Sequence, residues 1–349
     1  MANDSSDLAG ARSRRPRGIA GTILGRIVLA LLVVGASGAP AQTLDERWSF
    51  ELGALFTDAY GHDQHVLTIH EIAAGSQVVS ESGVTLDTGA TTGYHGEFQY
   101  ARDVWGLGID FFFITLGQKA SRGAAADGSG ASVVFEVADA SFMSTGPGEV
   151  LYFDVLEDTD INAWTLDFYG TRALAGSGER GIDFRFGLRI ADFDNDYRAV
   201  VGIENVGGRR LDASSNYGAM LGPLVGVTGR FERGRNTFEG YVGQSVVLGE
   251  AELSNMRREF SGPFVAEPDY TSEESFHAMY DIAIPMTDVR LEWHYRLSRM
   301  ISLGLGAHAS AWWDVSVPPG VIPVEGGDDV LHENTIVFYG LAALVELDF

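Results

Sequence analysis

The chain has 349 residues, 44 glycines, only 10 prolines, no cysteine and a formal net charge of −24. Without cysteine there is no disulfide framework and no thiol chemistry, and zinc could draw only on His and carboxylate ligands. An acidic excess of this size argues against nucleic acid as a partner, because the phosphate backbone is bound by a basic face.

Residues 1–41 read as a secretory signal peptide. Arg12, Arg14, Arg15, Arg17 and Arg26 supply the positive flank, residues 27–35 the short apolar core, and Ala39-Pro40-Ala41 the small residues of a cleavage site. That apolar run is shorter than the roughly 18 residues a membrane-spanning helix needs, and no longer run follows it. The fold is therefore expected in residues 42–349, as one domain.

From there on the pattern has a period of two. Residues 47–57 place Trp48, Phe50, Leu52, Ala54 and Phe56 on one face. Residues 92–102 set Tyr94, Phe98 and Tyr100 against His95, Glu97 and Gln99. Residues 105–116 set Trp105, Leu107, Ile109, Phe111 and Phe113 against Asp110. In 162–173, Trp164, Leu166 and Phe168 oppose Thr165, Asp167 and Tyr169. Residues 181–190 alternate without a break: Ile182, Phe184, Phe186, Leu188 and Ile190 face away from Asp183, Arg185, Gly187 and Arg189. Residues 217–231 and 237–248 follow, with a bulge expected at Pro223, since a ladder tolerates proline poorly. Residues 289–297 carry Arg290, Glu292, His294 and Arg296 on their polar side, and 301–313 are Gly- and Ala-rich. The last strand, 335–349, is apolar at every second residue from Val337 to Phe349.

Ten such segments, with an apolar row on each, predict an all-β fold: an antiparallel transmembrane β-barrel of about ten strands, with twelve as the alternative. Links are short near 103–104, 175–180, 232–236 and 298–300, and long over 58–91, 117–161, 194–216, 249–287 and 314–334. This alternation matches short periplasmic turns and long external loops. Residues 66–72, 133–138, 152–156 and 200–206 are candidates for extra strands. Five tryptophans fall at strand ends, as an aromatic girdle requires, and Trp293 falls mid-segment. The expected location is the outer membrane of a Gram-negative bacterium. Its lipid is the expected partner of the apolar rows.

Two passages carry a family resemblance. They are Phe184-Arg-Phe-Gly-Leu-Arg-Ile-Ala-Asp-Phe193 and Asn216-Tyr-Gly-Ala-Met-Leu-Gly-Pro-Leu-Val-Gly-Val-Thr-Gly-Arg-Phe-Glu232, the second leading into 241–250. In order and spacing they resemble the Legionella major-outer-membrane-protein-like family of pore-forming outer-membrane β-barrels, with Ile190 and Val227-Thr228 departing from that family's pattern. The resemblance implies a barrel with pore-like activity and supplies no catalytic residue. The strand ending at Phe349 likewise resembles the closing strand of such barrels, and implies recognition by the barrel-assembly machinery.

If the apolar rows face lipid, the other rows line the lumen. Arg185, Arg189, Arg290, Glu292, His294, Arg296, Asp183 and Asp110 are the expected lumen-lining residues. The expected function is a porin-like channel for passive diffusion of small hydrophilic solutes, weakly cation-preferring because of acidic external loops. The alternative is a non-conducting barrel that acts as adhesin or receptor through those loops. A hydrolase is the third class, with His62, Asp63, His65, His70, His332 and Glu333 as candidates. Residues 192–196 are oxygen-rich but lack the glycine and distal glutamate of a calcium loop. No catalytic residue, cofactor or metal site is expected.

Overall fold

In the computed structural model the described residues are 46–60, 65–73, 77–85, 91–126, 132–137, 140–144, 151–177, 180–203, 207–261, 270–322 and 330–349. The expected signal peptide lies outside them. The strands are β1 (Glu46–Tyr60), β2 (His65–Ala73), β3 (Gln77–Thr85), β4 (Thr91–Arg102), β5 (Trp105–Ala126), β6 (Ser132–Val137) and β7 (Ala140–Ser144). They continue as β8 (Leu151–Ser177), β9 (Arg180–Ile203), β10 (Gly207–Arg233), β11 (Asn236–Ser261), β12 (Tyr270–Arg296), β13 (Ile301–Ile322) and β14 (Val330–Asp348).

Ten of these close into an antiparallel barrel in the order β1-β14-β13-β12-β11-β10-β9-β8-β5-β4. Closure is made by β1 on β14, with Phe50 opposite Leu347 and Phe56 opposite Leu341. The other four form a separate sheet, β3-β2-β6-β7. Two of the candidate extra strands, 66–72 and, through residue 137, 133–138, thus belong to β2 and β6 in that second sheet, outside the barrel. The other two are continuations: 152–156 lies in β8, and 200–203 in β9.

One end of the barrel has tight turns. Asp103 between β4 and β5 takes a positive φ of 54°, and Gly234 between β10 and β11 takes 66°. At the other end the strands outrun the expectation. Five successive strands, β8 to β12, are 24 to 27 residues long. Much of what reads as long loop at 194–216 and 249–287 is paired β-structure, because the polar residues there keep alternating with buried ones.

The lipid-facing band follows from the outward row. On β14 it runs Val337, Tyr339, Leu341, Ala343, Val345, Leu347, with Leu341 among the most exposed apolar residues. The roughly ten steps from Val337 to Leu347, at about 3.3 Å each and tilted about 40°, span about 25 Å, the height of the apolar belt of an outer-membrane barrel. Ile182 to Ile190 on β9 and Val289 to Tyr295 on β12 continue the belt. The rows then turn acidic: Asp192, Asp194 and Asp196 follow Ile190 on the same face, and Glu250 and Glu252 follow Leu248. Asn195 does not join that acidic row, since it and Phe193 are buried on the opposite face.

Two bulges invert the alternation. On β10 the buried residues are Ala213, Ser215 and Tyr217, then Met220 and Leu224, with register shifts after Tyr217 on both edges. Pro223 itself pairs in register with Leu188. The expected break at Pro223 therefore lies instead at Gly218-Ala219. On β13 the shift lies between Trp312 and Val315, with Asp314 at a positive φ of 59°. The tryptophans divide accordingly. Trp313 faces outward, whereas Trp312 is fully buried inside. Trp293 is only three residues from the end of β12 and donates its indole N–H to Asn236 at 3.1 Å. It joins the tight-turn girdle, although its sequence segment places it in the middle.

Well beyond the lipid belt, Asp212 on β10 accepts hydrogen bonds from Arg198 at 2.8 Å and Arg210 at 2.7 Å. Partial burial pushes this carboxyl up, but the two arginines outweigh it and hold it below the usual carboxylate range. A depressed folded value means the stabilisation is complete above the unfolded carboxyl's range and is lost as pH falls through the folded one. The protection factors of the amides across residues 209–213, which remove the intrinsic pH dependence of exchange, are therefore expected to stay constant from pH 7 to about 5 and to fall only in stronger acid. In Asp212→Asn this acid step should vanish.

Candidate functional site: the charged interior of the barrel

The interior is built by the row opposite the lipid face. On β9 it reads Asp183, Arg185, Gly187, Arg189, Ala191, Phe193, so one strand passes from charge to hydrocarbon. On β12 it reads His294, Glu292, Arg290, Asp288, Met286, Ile284, and on β13 His308, Ser310, Trp312. These strands share that order, so the barrel contains a charged layer with an apolar layer stacked on its external side.

In the charged layer Arg185 is 2% exposed. Its guanidinium meets Asp110 at 2.9 Å and Glu97 at 3.4 Å. The Tyr169 ring lies 3.4 Å from it and the Tyr241 ring 4.9 Å, a cation held between two π faces. Glycine makes the room: a Cβ on Gly108 would fall 2.2 Å from the Tyr169 ring, and one on Gly243 would fall 2.0 Å from the Tyr241 hydroxyl. Arg189 grips Asp167 with two parallel bonds of 2.7 and 2.8 Å and also reaches Asp288. Ser310 donates to Asp288 at 2.7 Å, and the Trp312 indole donates to Ser310 at 3.0 Å. Arg290 contacts Asp110 at 2.8 Å and Glu97 at 3.5 Å, and reaches His95. Every arginine here is tied to two carboxylates from different strands. Such bidentate, charge-assisted bonds are the strong ones.

The external layer is hydrocarbon. Phe193, Met220, Val247, Ile284, Trp312, Ile336 and Phe338 are all fully buried within it. Trp312 meets Phe338 edge-on at 5.9 Å and Phe193 at 6.0 Å. On the tight-turn side lies a cavity of about 170 Å³, lined among others by Arg47, Glu97, Asp183, Arg185, Arg230 and Glu239.

The eight residues expected from the sequence all sit on the inward row. Arg185, Arg189, Asp110 and His294 are buried, and Arg290 and Glu292 join them in the charged layer. Asp183 lines the cavity, and Arg296 pairs with Glu232 at 3.5 Å near the turns. What the sequence reading missed is partnership. Glu51, Asp288 and Glu346 complete the layer: Asp288 shares the parity of Arg290, and Glu51 and Glu346 lie on the rows opposite the apolar ones of β1 and β14. It also missed the inward hydrocarbon, since apolar residues were all assigned to lipid. Of the hydrolase candidates, His62 and Asp63 lie outside the described residues. His65 and His70 fall on β2, and His332 and Glu333 on β14.

No protein-family model matches the chain, and no curated protein matches it. Among solved structures the chain is similar to the outer-membrane protease OmpT from Escherichia coli, at 11% identity and a TM-score of 0.46, over 89% of this chain and 99% of that one. It is also similar to a Pseudomonas aeruginosa FadL homologue, at 7% identity and 0.23, over 88% and 90%. The P. putida toluene transporter TodX matches at 10% identity and 0.18, over 88% and 90%. Likenesses this remote carry nothing about activity. The closed ladder and its lipid-facing belt give this chain the fold of an outer-membrane β-barrel.

Proposed function

We propose that this protein is an outer-membrane barrel closed to solutes, acting as a receptor or adhesin through the β-structure that stands beyond its lipid belt. The observation that carries the reading is the double closure of the lumen: Arg185, Arg189 and Arg290 interlocked with their carboxylates, and the Phe193–Trp312–Phe338 hydrocarbon stacked above them. Passive diffusion, the reading that the family resemblance favours, needs a continuous wet path. Here a solute leaving the 170 Å³ cavity meets buried ion pairs and then a dry layer. Opening that path means parting several buried pairs at once, each costly to break. The acidic outward rows, Asp192 to Asp196 and Glu250 to Glu252, set the partner's chemistry: a cationic polypeptide, drawn in at low salt and released as ionic strength rises.

The test is electrical. Refolded protein in a planar bilayer with 1 M KCl is expected to give no stable open steps, and vesicles carrying it should swell in small sugars no faster than empty ones. Steady porin-sized steps would return passive diffusion to first place.

A further inference from the structure

Within the charged layer the signs do not balance. Seven carboxylates (Glu51, Glu97, Asp110, Asp167, Asp288, Glu292 and Glu346) face the three buried guanidiniums of Arg185, Arg189 and Arg290 and the partly exposed one of Arg47, 3.9 Å from Glu346, with His95 and His294 between them. Negative charge is in excess even with both imidazoles charged. Buried charge is tolerated only when paired or when it holds a metal.

The excess is local. Arg185, Arg189 and Arg290 engage Glu97, Asp110, Asp167 and Asp288, which leaves Glu51 and Glu292 gathered round His294, with Glu346 behind it and Arg47 at the edge. We propose that Glu51, Glu292 and the His294 imidazole form a divalent-metal site of the kind taken by Zn²⁺. Three observations carry it. The first is spacing: His294 Nε2 is 3.4 Å from Glu292 Oε2 and 3.6 Å from Glu51 Oε2, and one ligand atom from each residue lies within 4.8 Å of the others. Ligands about 2.0–2.1 Å from a tetrahedral ion are separated by about 3.4 Å, so the ion fits with small side-chain adjustments.

The second is the shell behind the ligands. A metal-bound histidine usually gives its other N–H to a carboxylate. His294 Nδ1 is 3.7 Å from Glu346 Oε2, and His95 Nδ1 backs Glu51 at 3.4 Å. The third is burial with slack: the His294 side chain is 95% buried, and neither its Nδ1, 3.7 Å from Glu346, nor Glu51 Oε1, 3.4 Å from His95, makes a full hydrogen bond, which leaves these groups room to tighten round an ion. One nitrogen with carboxylate oxygens suits zinc and its first-row neighbours rather than calcium or magnesium. The cavity supplies an approach, because Ser49 and Glu97 in its lining are the inward neighbours of Glu51 and His95 on β1 and β4. A metal there would tie β1 to β12 across the barrel.

Equilibrium dialysis of tag-free, refolded protein against Zn²⁺ is expected to give one ion per chain. Glu292→Gln and His294→Gln should weaken binding by more than about 100-fold, and Glu346→Gln by about 10–100-fold. His277→Ala, which removes the exposed His277–Glu252 pair, should change nothing. Heat-modifiable migration on gels reports that each variant is folded. Should His294→Gln not fold, Glu346→Gln and the zinc X-ray absorption spectrum decide, the latter expected to show nitrogen and oxygen ligands with a single imidazole. Absence of stoichiometric zinc on the folded protein, loss that follows His277, or a spectrum of several imidazoles overturns the site.

Discussion

Arg185→Met is expected to cost the folded barrel roughly 3–5 kcal/mol, the range for removing one partner of a buried ion pair. Methionine roughly keeps the volume but leaves Asp110 without its 2.9 Å partner and both tyrosine rings without their cation. Equilibrium urea unfolding in detergent micelles reads the loss. Arg198→Met is the control: its side chain is 51% exposed and pairs with Asp212 at the surface, where a salt bridge contributes at most about 1 kcal/mol. Combining Arg185→Met with Asp110→Asn should recover part of the loss, because Asp110 and Glu97 would otherwise share the single guanidinium of Arg290, and the second change removes one of the two carboxylates. A water-filled lumen makes the opposite forecast, in which Arg185→Ser passes almost unnoticed. Equal, small effects of Arg185→Met and Arg198→Met would mean that the interior is wet and the closed-lumen reading wrong.

One residue along, Phe186→Arg is expected to impair insertion by roughly 2–4 kcal/mol, the penalty for arginine on the lipid face near the bilayer midplane. Phe186 is the middle of the five outward residues from Ile182 to Ile190 and is 41% exposed. Folding yield into lipid vesicles, followed by the shift in gel mobility, is the readout. Asp194→Arg on the same outward row, four residues past Ile190, should leave the yield close to wild type, since it sits where the row is already charged. The two Phe186 and Arg185 variants would fail for different reasons. Phe186→Arg blocks entry into lipid, while Arg185→Met enters and then unfolds at lower urea.

The face assignments were legible in the sequence because a period of two survives wherever one side meets lipid and the other does not. Residues 181–190 and 289–297 show it unbroken. Strand number was legible for the same reason. The lengths were not: beyond the lipid belt the outward row becomes Asp, Asn, Ser and Glu, which reads as loop although the backbone keeps pairing. Trp312 was misplaced because the bulge beside it puts Trp313 and Asp314 both outward, and nothing in Trp312-Trp313-Asp314 announces that. Lumen residues were found by parity alone. Parity says which way a side chain points and not whom it meets, so the layer of Glu51, His95, Asp110, Arg290 and His294, drawn from four strands, had to await the barrel's register.

Closure of β1 on β14 has a consequence for the order of events. Arg47 and Asp348 bond at 2.7 Å across 301 residues of chain, and Arg290 meets His95 across 195. The first of these contacts cannot exist until β14 has been made and has found β1. A fold so dominated by distant partners is slow to form. The charged layer is then among the last parts to assemble, and contacts formed after the transition state slow unfolding far more than they speed folding. The interior would therefore act on lifetime: a barrel that closes late, and once closed is very slow to let go.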